Sequence, residues 1–425
     1  MRKHLPALLL LTVLPLFGQQ PLTLTLQEAE RLAIKNNPAL TAAQFNAQAA
    51  AQQPIEARSA LLPTVFGSAT GVGADPGSRL AAGALNNPIV YNRLAAGITV
   101  SQLITDFGRT RNLTAAARYN AQAQDQVTQS VDANIVLLTD RAYFAVLRAQ
   151  SVLTVSQQTV NARQLVSDQV TELARNRLKS DLDVSFANVN LAQARIQLSA
   201  AQNDIKAAKA QLATALGMPQ QQDFNLADQP MPGPVDATAA RYIQQAIQLR
   251  PELAQLRLQV NAAERTAQAE KDLSLPTLGA IGTAGYVPAG DSQVPGHYGA
   301  AGVNLNIPIL NGGLFKARRT EAELRLAAAR KNVEDLQNRV TRDVETAWLD
   351  AQTAYEQVGL TAQLLTQAQR ALDLAQGRYD LGLGSIVELS QAQLNLTAAQ
   401  IANASAKYDY DAQNSFLSYQ SGVLR

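Results

Sequence analysis

The chain has 425 residues, of which 47% are hydrophobic, 16% charged and 5% aromatic. It holds 36 basic and 34 acidic residues, two histidines and no cysteine. Disulfides, thiolate metal sites, a cysteine nucleophile and a lipid-anchored cysteine are excluded, and a net charge of +2 gives no electrostatic reason to bind nucleic acid.

The sequence opens on a basic stretch, Met1 to His4, followed by an almost wholly apolar run from Leu5 to Phe17 and then Gly18, Gln19 and Gln20. That pattern reads as a secretory signal peptide, residues 1–18, cleaved near Gly18. The run is too short for a comfortable transmembrane helix, and Pro6 and Pro15 break it further. No later segment is apolar for long enough to span a bilayer as a helix, so the mature chain is expected to be exported without a helical span. With His4 in the leader, only His297 remains, and no G-x-S-x-G, P-loop or metal-ligand cluster occurs. No catalytic residue, metal or cofactor is expected, and the chain does not read as an enzyme.

After the leader, the sequence repeats itself. Asn37-Pro38-Ala39-Leu40 and Leu62-Pro63-Thr64 recur as Arg250-Pro251-Glu252-Leu253 and Leu275-Pro276-Thr277 at one common spacing. At a slightly shorter spacing, Gly97–Gly108 aligns with Gly302–Gly313, Ala142-Tyr143 with Ala347-Trp348, Leu178-Lys179-Ser180 with Leu383-Gly384-Ser385, and Asp183 with Glu388. This predicts two internal repeats, 22–218 and 239–422, joined by a Pro-rich linker at 219–238.

Within each repeat, strands come before the long helices. Thr64–Gly73 and Thr277–Tyr286 are rich in Gly and Thr, poor in charge, and follow Leu-Pro. Downstream, Ile98 and Val100 alternate with Thr99 and Ser101, and Val303, Leu305 and Ile307 alternate with Asn304 and Asn306. Period two predicts strands near 64–73, 94–104, 277–286 and 299–309. Strands of about ten residues suit a tilted crossing of a bilayer, though an ordinary hairpin capping a helical bundle fits the same pattern.

No proline occurs between Pro88 and Pro219 or after Pro308, and glycine is absent from Arg109 to Leu216. Such runs, rich in Ala, Gln, Leu and Arg, predict long helices. Val131, Ile135, Leu138, Ala142, Ala145, Ala149 and Val152 step in heptads and predict a packing seam. A helix from Arg109 to Arg177 would be about 100 Å long at 1.5 Å per residue. Tyr143 and Trp348 on these helices read as packing residues. If the strands do cross a membrane, four of them cannot close a barrel, so copies must combine; three would give twelve strands.

With these features the sequence resembles the TolC family of outer-membrane channels. The resemblance covers about residues 22 to 422. It is carried by the duplicated halves together with LQEAERLAIKNNPAL (Leu26–Leu40), ARSALLPTV (Ala57–Val65), ATALGMP (Ala213–Pro219) and RYDLGLGSIVELSQAQ (Arg378–Gln393). It implies a mainly α fold with a small β part: a homotrimer with a twelve-stranded outer-membrane β-barrel continued by a long periplasmic α-helical barrel. It also implies a passive exit channel in outer-membrane lipid, working with a periplasmic adaptor (a membrane fusion protein) and an inner-membrane pump in an efflux or type I secretion system. By the same resemblance, Asp183 and Glu388 face the pore at its constriction and Tyr379 belongs to the gate. The adaptor would meet the hairpin tips at Arg177, Leu178 and Ser180 in the first half and at Gly382, Leu383 and Ser385 in the second. The sequence departs from the best-known member at Gly384, where a latch arginine is expected, and at Gln391, where a second acid is. Arg175, Arg177 and Lys179 are the nearby cations. The other class of function to weigh is a structural coiled-coil tether or adaptor of the periplasm, which needs no amphipathic strands.

Overall fold

Proline and glycine set the helix boundaries in this protein. The computed structural model describes residues 23–79, 89–218 and 224–424; the expected signal peptide and the first residues of the expected linker lie outside these. The first half runs β1 (Thr23–Leu24), α1 (Leu26–Asn36), α2 (Pro38–Ala50), α3 (Gln53–Ser59), β2 (Thr64–Val72), β3 (Arg93–Thr105), α4 (Arg109–Arg175) and α5 (Asp181–Ala215). The second runs β4 (Asn225–Leu226), α6 (Ala240–Leu249), α7 (Pro251–Asp272), β5 (Thr277–Gly290), β6 (His297–Asn306), α8 (Leu314–Asp380) and α9 (Ile386–Gln420). The fold is mainly helical with a small sheet part. Helices α4 and α8 are each 67 residues long, and α5 and α9 each 35.

Local chemistry accounts for these boundaries. Thr25 and Glu28 form a capping box at the start of α1: the Thr25 hydroxyl accepts from the Glu28 amide at 3.3 Å, and the Glu28 carboxylate accepts from the Thr25 amide at 2.9 Å. Pro38 forces Asn37 into an extended conformation (ψ 119°) and so separates α1 from α2. Pro251 does the same to Arg250 (ψ 123°) between α6 and α7. Two glycines in the left-handed region end the short helices. A β-carbon on Gly217 (φ 67°) would lie 2.7 Å from the Asn36 carbonyl oxygen, and one on Gly422 (φ 76°) 3.0 Å from the Arg250 amide. Each short helix thus ends where the chain packs on the close of α1 or α6, at a distance only glycine allows.

Contacts divide the chain into two units. One comprises Met1–Asn37, Ile135–Val235 and Asp350–Ser415; the other comprises Pro38–Asn134, Asp236–Leu349 and Phe416–Arg425. The second unit holds an antiparallel sheet in the order β2-β3-β5-β6. Its register places Val65 opposite Val100, Ile98 opposite Ala284, and Ala280 opposite Val303. Leu94, Ile98, Val100, Val303 and Leu305 are all exposed, so the sheet presents an uncovered apolar face. On the other face, Thr99 and Thr283 hydroxyls meet at 3.4 Å and Thr64 and Ser101 at 3.0 Å. Tyr298 lies across the glycine pair Gly97 and Gly285, where no side chain would fit beneath it.

The first unit is built around the middle of α4. The heptad seam expected there is too simple. Ile135 and Ala142 are buried, but so are Val136, Leu137, Tyr143, Phe144, Val146 and Leu147, while the seam's Leu138 is 49% exposed. The cause is that the chain segments around this stretch cover more than one of its faces. β1 and β4 pair in parallel, and the Tyr143 hydroxyl shares its proton between the carbonyls of Ala227 (2.6 Å) and Leu24 (2.9 Å). Tyr410 donates to the Gly233 carbonyl, and Lys407 bridges Asp228 at 2.7 Å. Aromatic hydroxyls on the helices therefore fasten the irregular segment after β4. In the second unit the Trp348 indole N–H donates to the Asp236 carbonyl at 2.9 Å.

Beside Tyr143, Asp140 is buried to 1% exposure with one carboxyl oxygen unpartnered. Burial, and then the charge of neighbouring Glu30, push its pKa up to about 8, while a hydrogen bond with Ser415 pulls weakly the other way. Its folded-state pKa lies above its unfolded value. Stability from this site is therefore greatest in acid, and it declines as the unfolded chain ionises from about pH 4 until the folded group ionises near about pH 8. Thermal unfolding between these limits should show a falling midpoint with rising pH, and Asp140→Asn should flatten that slope. Equal slopes in the two proteins would exclude Asp140 as the cause.

Candidate functional site

The two hairpin tips, between α4 and α5 and between α8 and α9, both lie in the first unit. Each tip is made by the same pair of backbone bonds. In the first, Leu178 N–H donates to Leu173 O and Arg177 N–H to Ala174 O, both at 2.9 Å. In the second, Leu383 N–H donates to Arg378 O at 2.8 Å and Gly382 N–H to Tyr379 O at 3.1 Å. This helix stop needs a left-handed residue, which is Gly382 (φ 73°) in one tip and Arg177 (φ 60°) in the other. After each turn a serine starts the next helix. The Ser180 hydroxyl accepts from the Asp183 amide at 3.2 Å, and the Ser385 hydroxyl accepts from the Glu388 amide at 3.1 Å.

The two carboxylates then diverge. Asp183 completes a capping box, accepting from the Ser180 amide at 2.9 Å and hydroxyl at 2.7 Å. Partial burial works against its ionised form, but the Ser180 hydrogen bonds and the Lys179 charge outweigh it and hold its pKa below the usual carboxylate range. Glu388 instead pairs with Arg378 at 3.1 Å, and Arg378 also reaches the Leu383 carbonyl at 3.2 Å. Glu388 is exposed and Asp183 half-buried, while Leu178 (68%) and Leu383 (69%) stand exposed at the turns.

Tyr379 is not exposed. It is buried among Ala375, Ile386, Leu389 and Ala392, with Phe186 of the other hairpin packed on the cluster. Lys179, from the first tip, sits 3.5 Å above its ring centroid, and its ammonium donates to the Tyr379 carbonyl at 3.4 Å. The Tyr379 hydroxyl is buried and meets no partner at hydrogen-bonding geometry. Burial first, and the nearby Asp183 carboxylate next, push its pKa up to about 12. The structure thus brings Lys179, Asp183 and Tyr379 together across the hairpins, and Arg378 with Glu388 within one. Gly384 sits in a tight place: a β-carbon there would lie 3.1 Å from that of Arg378 and 3.3 Å from a Glu388 carboxyl oxygen, so a side chain would need its neighbours to shift by a few tenths of an ångström. Gln391 only donates along its helix to Asn395 at 2.9 Å.

Two further contacts have no signal in the sequence. Asn190 of α5 donates to Ser390 of α9 at 2.8 Å, and both are buried. Ser167 of α4 bonds Asn188 of α5 at the same distance. Among the described residues no group of three or more His, Asp or Glu side chains is placed to hold a metal ion.

Long helical hairpins with tips of this kind, and a small antiparallel sheet with an apolar face, define a mainly helical class of fold. Residues 30–218 and 242–419 match the family described as outer membrane efflux protein, and the chain belongs to that family. It is 28% identical over 417 residues to the outer membrane efflux protein BepC of Brucella suis, a match that covers 95% of this chain and 86% of that protein. It is 27% identical over 431 residues to the outer membrane protein TolC of Escherichia coli, covering 96% and 84%. Its fold is similar to that of a membrane protein from Pseudomonas aeruginosa, with a TM-score of 0.81 over 93% of both chains at 21% identity.

The unequal turns make a direct prediction. Arg177 holds a conformation that costs a side-chain-bearing residue about 1–2 kcal/mol and glycine almost nothing. Arg177→Gly should raise the denaturant midpoint, and Gly382→Ala should lower it by a similar amount.

Proposed function

We propose that this outer membrane efflux protein is the passive exit channel of a tripartite efflux pump or type I secretion system. It assembles as a homotrimer with a twelve-stranded β-barrel in outer-membrane lipid and a periplasmic helical barrel, and each chain supplies two internal repeats. One observation carries the reading: the four-stranded sheet ends on β2 and β6, which have no strand partner on their outer sides among the described residues, and its apolar face is uncovered. A periplasmic tether has no use for such a sheet. The equal helix lengths in the two halves and the matching turns support duplication. The test is migration of detergent-extracted outer membranes with and without heating. A heat-labile species of about three chain masses is expected; a monomer before heating contradicts the assembly.

At the tips, the exposed leucines at 178 and 383, with Arg177, Ser180, Gly382 and Ser385 beside them, form the surface offered to a periplasmic adaptor, itself bound to an inner-membrane pump. Lys179 stacked on Tyr379 supports a gate that ties one hairpin to the other. It takes the place of an arginine at position 384. Tyr379→Ala and Lys179→Met should both raise single-channel conductance or leak in planar bilayers, and parental conductance in both variants would remove the pair from the gate.

Three-fold repetition would turn Asp183 and Glu388 into rings, and rings of carboxylates favour cations. Asp183→Asn and Glu388→Gln should weaken cation preference. A reversal potential unchanged in both places these groups away from the pore.

A further inference from the structure

In the first unit, toward the hairpin tips, a groove of about 430 Å³ lies between α4, α8 and α9. Arg163 of α4 lines it at 7% exposure and Gln393 of α9 at 6%. Among the described residues neither side chain has a hydrogen-bond or ion-pair partner, and the polar atoms of both open to the groove. Buried polar groups are almost always paired, and an unpaired buried cation is among the costliest groups a fold can retain. Burial alone pulls the Arg163 pKa down to about 10, with no carboxylate acting on it. Acids on α4 and α8 accept from glutamines of their own helices: Asp168 from Gln164, Asp373 from Gln369, and Asp380 from Gln376. From Leu389 to Ala406, α9 carries no charged residue at all.

The remaining walls define what would fit. Thr159 and Thr397 have spent their protons on helix carbonyls, so their oxygens remain as acceptors only. The one cationic donor is the guanidinium of Arg163, with the amide of Gln393 as the buried neutral donor beside it and the amides of Gln158, Gln169 and Gln400 elsewhere on the lining. Beside them stand Leu165, Leu372 and Leu396. The groove's volume lies within the usual ~300–1,000 Å³ range of small-molecule sites. We propose that this groove binds a small organic carboxylate, its anionic head on Arg163 and Gln393 and its apolar body against Leu372 and Leu396. A guanidinium is matched to a carboxylate in charge and in its two-pronged geometry, and the leucines favour an organic anion over a bare inorganic one.

The test uses the full-length protein in neutral detergent and labelled benzoate in equilibrium dialysis. Saturable binding is expected, unaffected by benzyl alcohol. Arg163→Gln should weaken it about 10- to 100-fold, the value of a charge-assisted hydrogen bond, and Gln393→Ala about 2- to 10-fold. Arg163→Gln removes an uncompensated charge and should fold at least as well as the parent. In bromide-soaked crystals, an anomalous peak should sit on the Arg163 guanidinium and vanish in the variant. Benzoate binding equal in parent and Arg163→Gln overturns the proposal, as does no saturable binding. A bromide peak without benzoate binding leaves an inorganic anion site and overturns the carboxylate assignment. A neighbouring chain's acidic side chain found on Arg163 overturns it too.

Discussion

A backbone N–H or C=O cannot stay unpaired in hydrocarbon, because no water is there to take it. The rest of the architecture follows from that. Among the described residues the sheet has an apolar face and four strands, and its outer strands, β2 and β6, leave two rows of such groups. The proposed barrel needs more strands than the four of this sheet, and copies of the same chain are its proposed source. In the proposed tube the Ala-rich, charge-balanced helices would meet water on more than one face, which suits the sparseness of large apolar residues along them.

The hairpin tips solve a smaller problem with the same parsimony. A tyrosine buried in one hairpin's core needs its open face covered, and Gly384 has no side chain to supply the cover. Lys179 of the other hairpin supplies it, with its charge over the ring and a hydrogen bond to the Tyr379 carbonyl. Asp183 serves two ends at once: it starts α5, and its charge adds to burial in raising the pKa of Tyr379. Tip geometry and electrostatics are therefore coupled, so a change meant to alter charge there also alters a helix cap.

What could be read from the sequence follows from the range of the interaction. The absence of proline and glycine marks α4 and α5, and the alternation around Val303 marks a strand, because both are local constraints on the backbone. The heptad seam failed at Leu138 because a seam assumes one packing partner, while α1, β1 and β4 bring residues from distant parts of the chain against α4. The contacts that matter at the tips are longer still. Lys179 and Tyr379, Asn190 and Ser390, and Asp140 and Glu30 are juxtaposed only by folding, and no spacing rule announces them. Arg163 looks like any surface arginine on a polar helix until the groove around it is seen.

The equal arms of the hairpins carry a further consequence. Two tips that must meet at Lys179 and Tyr379 can do so only while α4 and α8 keep the same length, and the glycines at 217 and 422 pin the other ends without slack. Adding one heptad to a single arm would carry its tip past the other by about 10 Å. Insertions and deletions in these helices should therefore survive natural drift only in matched pairs, so that descendants of this channel change reach in whole steps and never on one side alone.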